Sequence, residues 1–367
     1  RYMLTCGAGA GLAAAFNAPL AGVMFSLEEL QKNFNSSMLV CVISGCAVSD
    51  FLSKHFFGLL PVFDFHLHSA LPLNNYWLLV LLGLLLGVLG AFYNFVMLKG
   101  QDLFNALKMI PPQYRIILPF LLSGIVCYTM PQILAGGHAM IGLLDGQRPA
   151  VAVMLMLLIG KFLFSAFCFG SGAPGGIFFP MLVLGAYIGA VFGTVVIDQT
   201  GLEPFYMVNF ITIAMAGFFT AIVRAPITGI LLIAEMTGTF EHFLSLAVVC
   251  LISYMTAHLL KSEPIYESLL GRILAKNGLE ENEGPEHKIL RSFSVGAGSM
   301  ACGQKIRDIQ WPDHCLIVTL QRGEEEIIAR GSTIIHPGDT VTALVDENYL
   351  GMVTESIQLI CGEIQMP

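Results

Sequence analysis

Apolar residues run almost unbroken from about residue 4 to 30, 37 to 60, 76 to 99, 115 to 136, 149 to 168, 178 to 199, 206 to 222, 226 to 238 and 242 to 260. Each run predicts a helix. A helix of about 20 residues spans a hydrocarbon core ~30 Å thick, so several can cross a bilayer while others are too short. The short segments are interrupted by Gly and Pro, which predicts broken or re-entrant helices, tolerated only where protein or a water-filled cavity covers their backbone. From about residue 281 the pattern changes to alternating runs, "HKILRSFSV", "CLIVTLQR" and "DTVTALVD", with turn signals "QRGEEE" and "HPGD" between them. These predict strands of a small soluble α+β domain. The expected division is a membrane domain over residues 1–277, a linker over 278–284 and a soluble domain over 285–367.

Composition agrees with the pattern. The 367 residues are 55% hydrophobic and 12% charged, with a mean hydropathy of +0.74, which excludes an ordinary soluble globular protein. The net charge of −8 is regional, since 19 of the 44 charged residues fall in the last 87 positions. Lys261, Arg272 and Lys276 follow the last apolar run, and the positive-inside rule puts that end in the cytoplasm. The nine cysteines are odd in number and form no CxxC, so they read as small core residues. His66 and His68 read as a solvated loop, because a metal site needs further ligands at suitable spacing.

Two segments repeat. "APLAGVMFSLE" (18–28) and "APITGILLIAE" (225–235) share Ala-Pro, a Gly three residues after the Pro and a Glu six after the Gly. Such spacing in two Pro-initiated helices is a mark of duplicated transporter halves. The second copy is preceded by "CFGSGAPGGIFFP" (168–180), whose counterpart in the first copy would fall before residue 1. With "RYMLTCGAGAG" entering an apolar run directly, the expectation is a fragment lacking part of its functional centre.

The glycine-rich stretch carries the chemistry. A helix starting just after "SGAPGG" leaves its first N–H groups without intrahelical partners and places partial positive charge beside them, which makes an anion site without a cation. Gly170, Gly172, Gly175 and Gly176 allow close backbone approach, and Pro174 restricts the entry. A helix-packing kink is the structural alternative. A phosphate loop is disfavoured because no Gly-Lys-Ser/Thr follows, and a hydrolase using Ser171 lacks a partner base. One terminus contributes about 0.3–1 kcal/mol, ~2 when buried, far below the cost of dehydrating an ion. Several weak donors must therefore converge, which suits a conduction site that must also release its ion.

"GSGAPGGIFFPML", "AAAFNAPLAGVMFSLEEL", "RAPITGILLIAEMT" and "KSEPIYESLLGRILAK" together resemble the ClC family of chloride channels and chloride/proton exchangers, over about residues 1–277 and in matching order. The tail from about residue 285 resembles the TrkA-C regulatory module of potassium-conductance regulators. The resemblance implies that the Ile177 and Phe178 amides, reached through Gly175 and Gly176, contact a central chloride. It implies that the Tyr266 hydroxyl closes the inner side of that site, where sequence alone would make Tyr266 an interfacial aromatic. It also implies that Glu29 transfers protons. Without the family match, Glu29 could equally be a solvated acid at a helix end. Adjacent to it, Glu28 has a repeat partner in Glu235 whereas Glu29 faces Met236, so Glu28 is expected to be structural. Arg224 is given no transport role. The family's upstream anion loop and its gating-glutamate loop have no match in this chain, which leaves the outer gate and anion selectivity open.

The fold class expected is therefore an all-α polytopic membrane protein, an inverted repeat with broken helices, followed by a small cytoplasmic α+β domain. The function implied is chloride/proton antiport across a bacterial plasma membrane by a homodimer. A passive channel on the same fold and a membrane-anchored ligand-sensing receptor are the alternatives. No enzyme activity, cofactor or nucleic-acid partner is expected: chloride and protons are the transported ions, the lipid bilayer is the surroundings, and a small-molecule effector could act at the tail.

Overall fold

The computed structural model describes residues 2–32, 36–58, 71–106, 111, 114–144, 149–276, 288–323, 325–346 and 349–362. His66, His68 and the expected linker 278–284 lie outside them. The chain divides into two compact units, Arg1–Leu270 and Gly271–Pro367.

The first unit is helical. Its elements are α1 (Tyr2–Phe16), α2 (Pro19–Phe25) running into a π-helical turn (Ser26–Gln31), α3 (Ser36–Phe57), α4 (Tyr76–Ala106), α5 (Ile117–Thr129), α6 (His138–Leu144), α7 (Val151–Gly170), α8 (Phe178–Thr200), α9 (Met207–Val223), α10 (Pro226–Thr237), α11 (Phe243–Leu259) and the start of α12 (Ile265–Lys276). Among the described residues, five helical segments are long and apolar enough to cross a membrane: Met38–Phe57, Leu73–Ala106, Val151–Gly170, Phe178–Thr200 and Pro204–Val223. The remaining helices are short, as the interrupted runs predict.

The repeat is visible in the backbone. The first apolar run, read as residues 4–30, is broken at Asn17, where φ is +51°, followed by Ala18 and Pro19. The second copy makes the same joint, Arg224 at φ +71°, then Ala225 and Pro226. A left-handed residue ends one helix, and proline, which needs no N–H partner and has its φ preset, opens the next. Thus α1–α2–α3 and α9–α10–α11 are corresponding units, and α2 packs against α10.

The core lies around α8 and α9, whose facing side chains are almost wholly buried. Gly185, Gly189 and Gly193 recur every four residues on α8 and let α9 approach; a Cβ on Gly185 would lie 2.9 Å from the Met215 Cα. Three cysteines, Cys46, Cys250 and Cys361, are buried as expected of small core residues, but Cys127 is exposed on α5.

The second unit holds a four-stranded antiparallel sheet of β1 (Lys288–Ser294), β2 (Cys315–Arg322), β3 (Glu325–Ile328) and β4 (Thr340–Asp346), in the order β1-β4-β2-β3. Helix α13 (Leu350–Cys361) buries Val353, Ile357 and Cys361 in the same core as Phe293, Leu320, Val341 and Ala343. The "QRGEEE" stretch, read as a turn, also supplies the start of β3, because β2 and β3 form a tight hairpin with Arg322 opposite Glu325.

Candidate functional site

The site is built around the start of α8. Ile177 is its N-cap and Phe178 its first residue. Met181 N–H donates to the Ile177 carbonyl at 3.1 Å, and Pro180 has no N–H. Among the described residues no protein group accepts from the N–H of Gly176, Ile177 or Phe178. Gly175 and Gly176 are exposed, and neither would bring an added Cβ within 4 Å of another atom. Of the four glycines, only Gly172 needs its conformational freedom, at φ +78°. Gly170 serves packing: a Cβ there would lie 2.9 Å from the Gly100 carbonyl carbon of α4. Ser171 donates to the Cys168 carbonyl at 2.6 Å and accepts from Ala173 N–H at 3.2 Å, so its hydroxyl shapes the turn.

The other family-implied residues gather here. The Phe178 ring lies 4.8 Å from Phe16, 5.1 Å from Phe219 and 6.2 Å from Phe25. Phe25 in turn lies edge-on to Tyr266 at 6.1 Å. A single aromatic cluster thus places Tyr266, the second residue of α12, across Phe25 from the α8 start. Glu29 lies four residues beyond Phe25 in the π-helical turn, half-buried and within electrostatic reach of Tyr266. An ion pair between Lys32 and Glu267 ties the end of that turn to α12. The structure therefore brings Ile177, Phe178, Tyr266 and Glu29 into one region, with Gly175 and Gly176 leading to it.

Glu28 and Glu29 diverge, although through a π-helical turn and not the α-helical one that the sequence suggests. The Glu28 carboxylate accepts the N–H groups of Ile227 (3.2 Å) and Thr228 (2.8 Å) and the Thr228 hydroxyl (2.8 Å), at the start of α10. Reciprocally, the Glu235 carboxylate accepts the N–H groups of Leu20 (3.0 Å) and Ala21 (2.8 Å), at the start of α2. Each repeat supplies the anion that caps the other's Pro-initiated helix, satisfying orphan donors and the helix dipole together. The shared structural role expected of this pair is what their geometry describes.

Arg224, expected to have no transport role, and Asn94 both bond to the turn that precedes α12, whose second residue is Tyr266. Arg224 donates to the carbonyls of Tyr254 (3.0 Å) and Ser262 (2.7 Å). Asn94, buried on α4, donates to the carbonyls of Ile222 (3.1 Å) and Glu263 (3.0 Å). Together they clamp the turn Lys261–Pro264 from which α12 starts. A lone cation directly before Ala-Pro was the available signal for Arg224. Asn94 offered only a lone amide in an apolar helix.

A family profile described as voltage gated chloride channel matches residues 1–258, and a TrkA-C domain profile matches residues 290–358. The H(+)/Cl(-) exchange transporter ClcA of Vibrio parahaemolyticus is 37% identical over 294 residues, covering 78% of this chain and 62% of that protein. ClcA of Klebsiella pneumoniae is 35% identical over 287 residues, covering 76% and 60%. The chain thus spans about three-fifths of the length of these curated relatives. The crystal structure of a slow cyanobacterial Cl-/H+ antiporter superposes with a TM-score of 0.69 at 32% identity, over 76% of this chain and 66% of that one. That of a CLC-type fluoride/proton antiporter gives 0.60 at 19% identity over 72% and 64%, a likeness of fold alone. This multi-pass membrane chain, with its cross-capped repeat and its TrkA-C domain, belongs to the voltage-gated chloride channel family.

Proposed function

We propose that the protein exchanges chloride for protons across a bacterial plasma membrane. The observation that carries this reading is the start of α8, whose Ile177 and Phe178 amides have no protein acceptor among the described residues while the starts of α2 and α10 are both capped by carboxylates. Tyr266, held by the Arg224 and Asn94 clamp, supplies a hydroxyl on the inner side. Glu29, near Tyr266 and with no hydrogen bond among the described residues, is the acid that loads and releases protons. An acid at such depth is costly and is by default a functional group. The names of the similar ClcA proteins and of the cyanobacterial antiporter support exchange over passive conduction.

The reading includes a homodimer with one pathway in each subunit, no cofactor, and a cytoplasmic tail that takes a small effector. Lys261, Arg272 and Lys276 after the last apolar helix support that orientation. The domain limits, 1–277 and 285–367 with a linker between them, accord with a tail match that starts at residue 290. Anion flux measured in liposomes with a pH readout, using the full-length protein, tests the proposal. Exchange predicts uphill proton movement driven by a chloride gradient, and Glu29→Gln predicts that anion flux persists while proton flux collapses. Chloride flux without proton movement would make the protein a channel, and no flux would favour a receptor.

A further inference from the structure

A cavity of about 270 Å³ lies against the glycine-rich loop and the start of α8. Its walls include Tyr93 of α4, Ser123 of α5, Lys161 and Ser165 of α7, and the loop residues Gly175 and Gly176. Among the described residues no carboxylate lines it. Lys161 is only 1% exposed in the middle of an apolar 20-residue helix. Its ammonium donates to the carbonyls of Ile133 (2.9 Å) and Ala135 (2.7 Å), and no acid pairs with it among the described residues. Ala135 holds a left-handed backbone, φ +51°, in presenting its carbonyl. Carbonyl dipoles occupy two of three N–H groups and leave the full positive charge uncompensated, whereas buried cations are ordinarily paired with an anion.

Tyr93 adds a second, independent observation. It is wholly buried, its ring packs 5.8 Å from Phe218 and 6.0 Å from Phe162, and its hydroxyl has no partner among the described residues. A buried phenol normally finds a hydrogen-bond partner, and phenylalanine would pack here equally well without one. A lone strut role for Lys161, pinning the Ile133–Ala135 turn, accounts for the two carbonyl bonds but leaves both the charge and the phenol unanswered.

We propose that this cavity is a second anion-binding site, in which Lys161 and Tyr93 hold a small monovalent inorganic anion of the halide kind. One cation and one neutral donor match a single negative charge. The shared Gly175–Ile177 wall makes the cavity a place where an anion waits beside the start of α8. The inference shares with the proposed function its class of ligand and the Gly175–Ile177 wall, but rests on Lys161 and Tyr93, which that reading does not use.

Anomalous diffraction from crystals of the full-length protein in bromide separates the two. The wild type should show a bromide peak in the cavity beside Lys161 and Tyr93, and another at the Ile177 and Phe178 amides. In Tyr93→Phe the cavity peak at sub-saturating bromide should fall about tenfold, the loss of one hydrogen bond to a charged partner, while the other peak stays. Lys161→Arg should keep the cavity peak and Lys161→Met should lose it. If Lys161→Met fails to fold, Tyr93→Phe, which removes one oxygen, decides the matter. A wild-type cavity without bromide, or a cavity peak undiminished in Tyr93→Phe, overturns this inference. Bromide in the cavity with none at Ile177 and Phe178 upholds it and sinks the proposed function instead.

Discussion

Helices α2 and α10 start as α8 does, with N–H groups that no helical carbonyl can reach, yet the three ends serve opposite purposes. At α2 and α10 a carboxylate arrives from the other repeat and takes the donors. At α8 the approach is made of Gly175 and Gly176, and among the described residues no side chain arrives. On the proposed reading, a helix start is a joint or an anion site depending on whether the protein supplies its own anion.

Breaking the joints should have the largest effect. Glu28→Ala or Glu235→Ala removes two or three charge-assisted hydrogen bonds, worth about 1.5–3 kcal/mol each, so each variant should lose about 3 kcal/mol or more of stability. Thermal unfolding of the detergent-solubilised protein reads this directly. The freed helix start should also acquire what α8 has, so added chloride should stabilise Glu235→Ala more than the wild type. A variant as stable as the wild type would remove the distinction drawn between the two kinds of helix start.

The clamp comes next. Arg224→Met or Asn94→Leu should cost about 2–3 kcal/mol by leaving buried carbonyls unpaired, and should weaken chloride binding because α12 and Tyr266 shift. The binding defect should be non-additive with Tyr266→Ala, the mark of residues acting through one another. Calorimetric titration of chloride into single and double variants checks it, and full additivity would detach the clamp from the site.

Tyr266→Ala alone should weaken chloride binding by about 1.5–3 kcal/mol, one hydrogen bond to a charged partner. Phe178→Leu should do less, since its amide survives. Equal and severe losses from both would favour aromatic packing over backbone coordination.

The tail offers a milder version of the same joint. The Asp339 carboxylate accepts His336 N–H at 2.7 Å and pairs with Arg322 at 2.8 and 2.9 Å. Arg322 holds its carboxyl below the usual carboxylate range. A lowered folded value means that this stability is present above the unfolded value, about 3.9, and is lost as pH falls through the folded one. Hydrogen exchange of tail amides in the full chain should show protection falling below about pH 4 in the wild type. In Asp339→Asn protection should be lower at neutral pH and flatter across that window.

The sequence shows some of this plainly and hides the rest for physical reasons. Runs of apolar residues mark the helices because lipid and core both demand them, and the start of α8 is legible because Gly and Pro are so costly inside a helix. The common spacing of Glu28 and Glu235 suggests a shared role. That each carboxylate reaches the opposite copy cannot be read from it, since about 200 residues separate the partners. The 3-10 turn Pro131–Ile133 and short α6 fall in or beside a run read as one helix, because periodicity cannot place a break where turn chemistry is spread thinly. Lys161, a single cation within an apolar run, was a signal by itself, since intramembrane charge is by default functional. Tyr93 was not, because only three-dimensional packing reveals its unpaired hydroxyl.

The central claim, that α8 holds an anion by its backbone, is tested most directly by replacing the Phe178 amide with an ester, which deletes the N–H and leaves the side chain. Chloride affinity of the full-length protein should fall by about 1.5–3 kcal/mol, roughly tenfold or more. The same exchange at Thr228, whose N–H serves Glu28, should lower stability and leave affinity nearly unchanged. Undiminished chloride binding by the Phe178 ester would contradict the account.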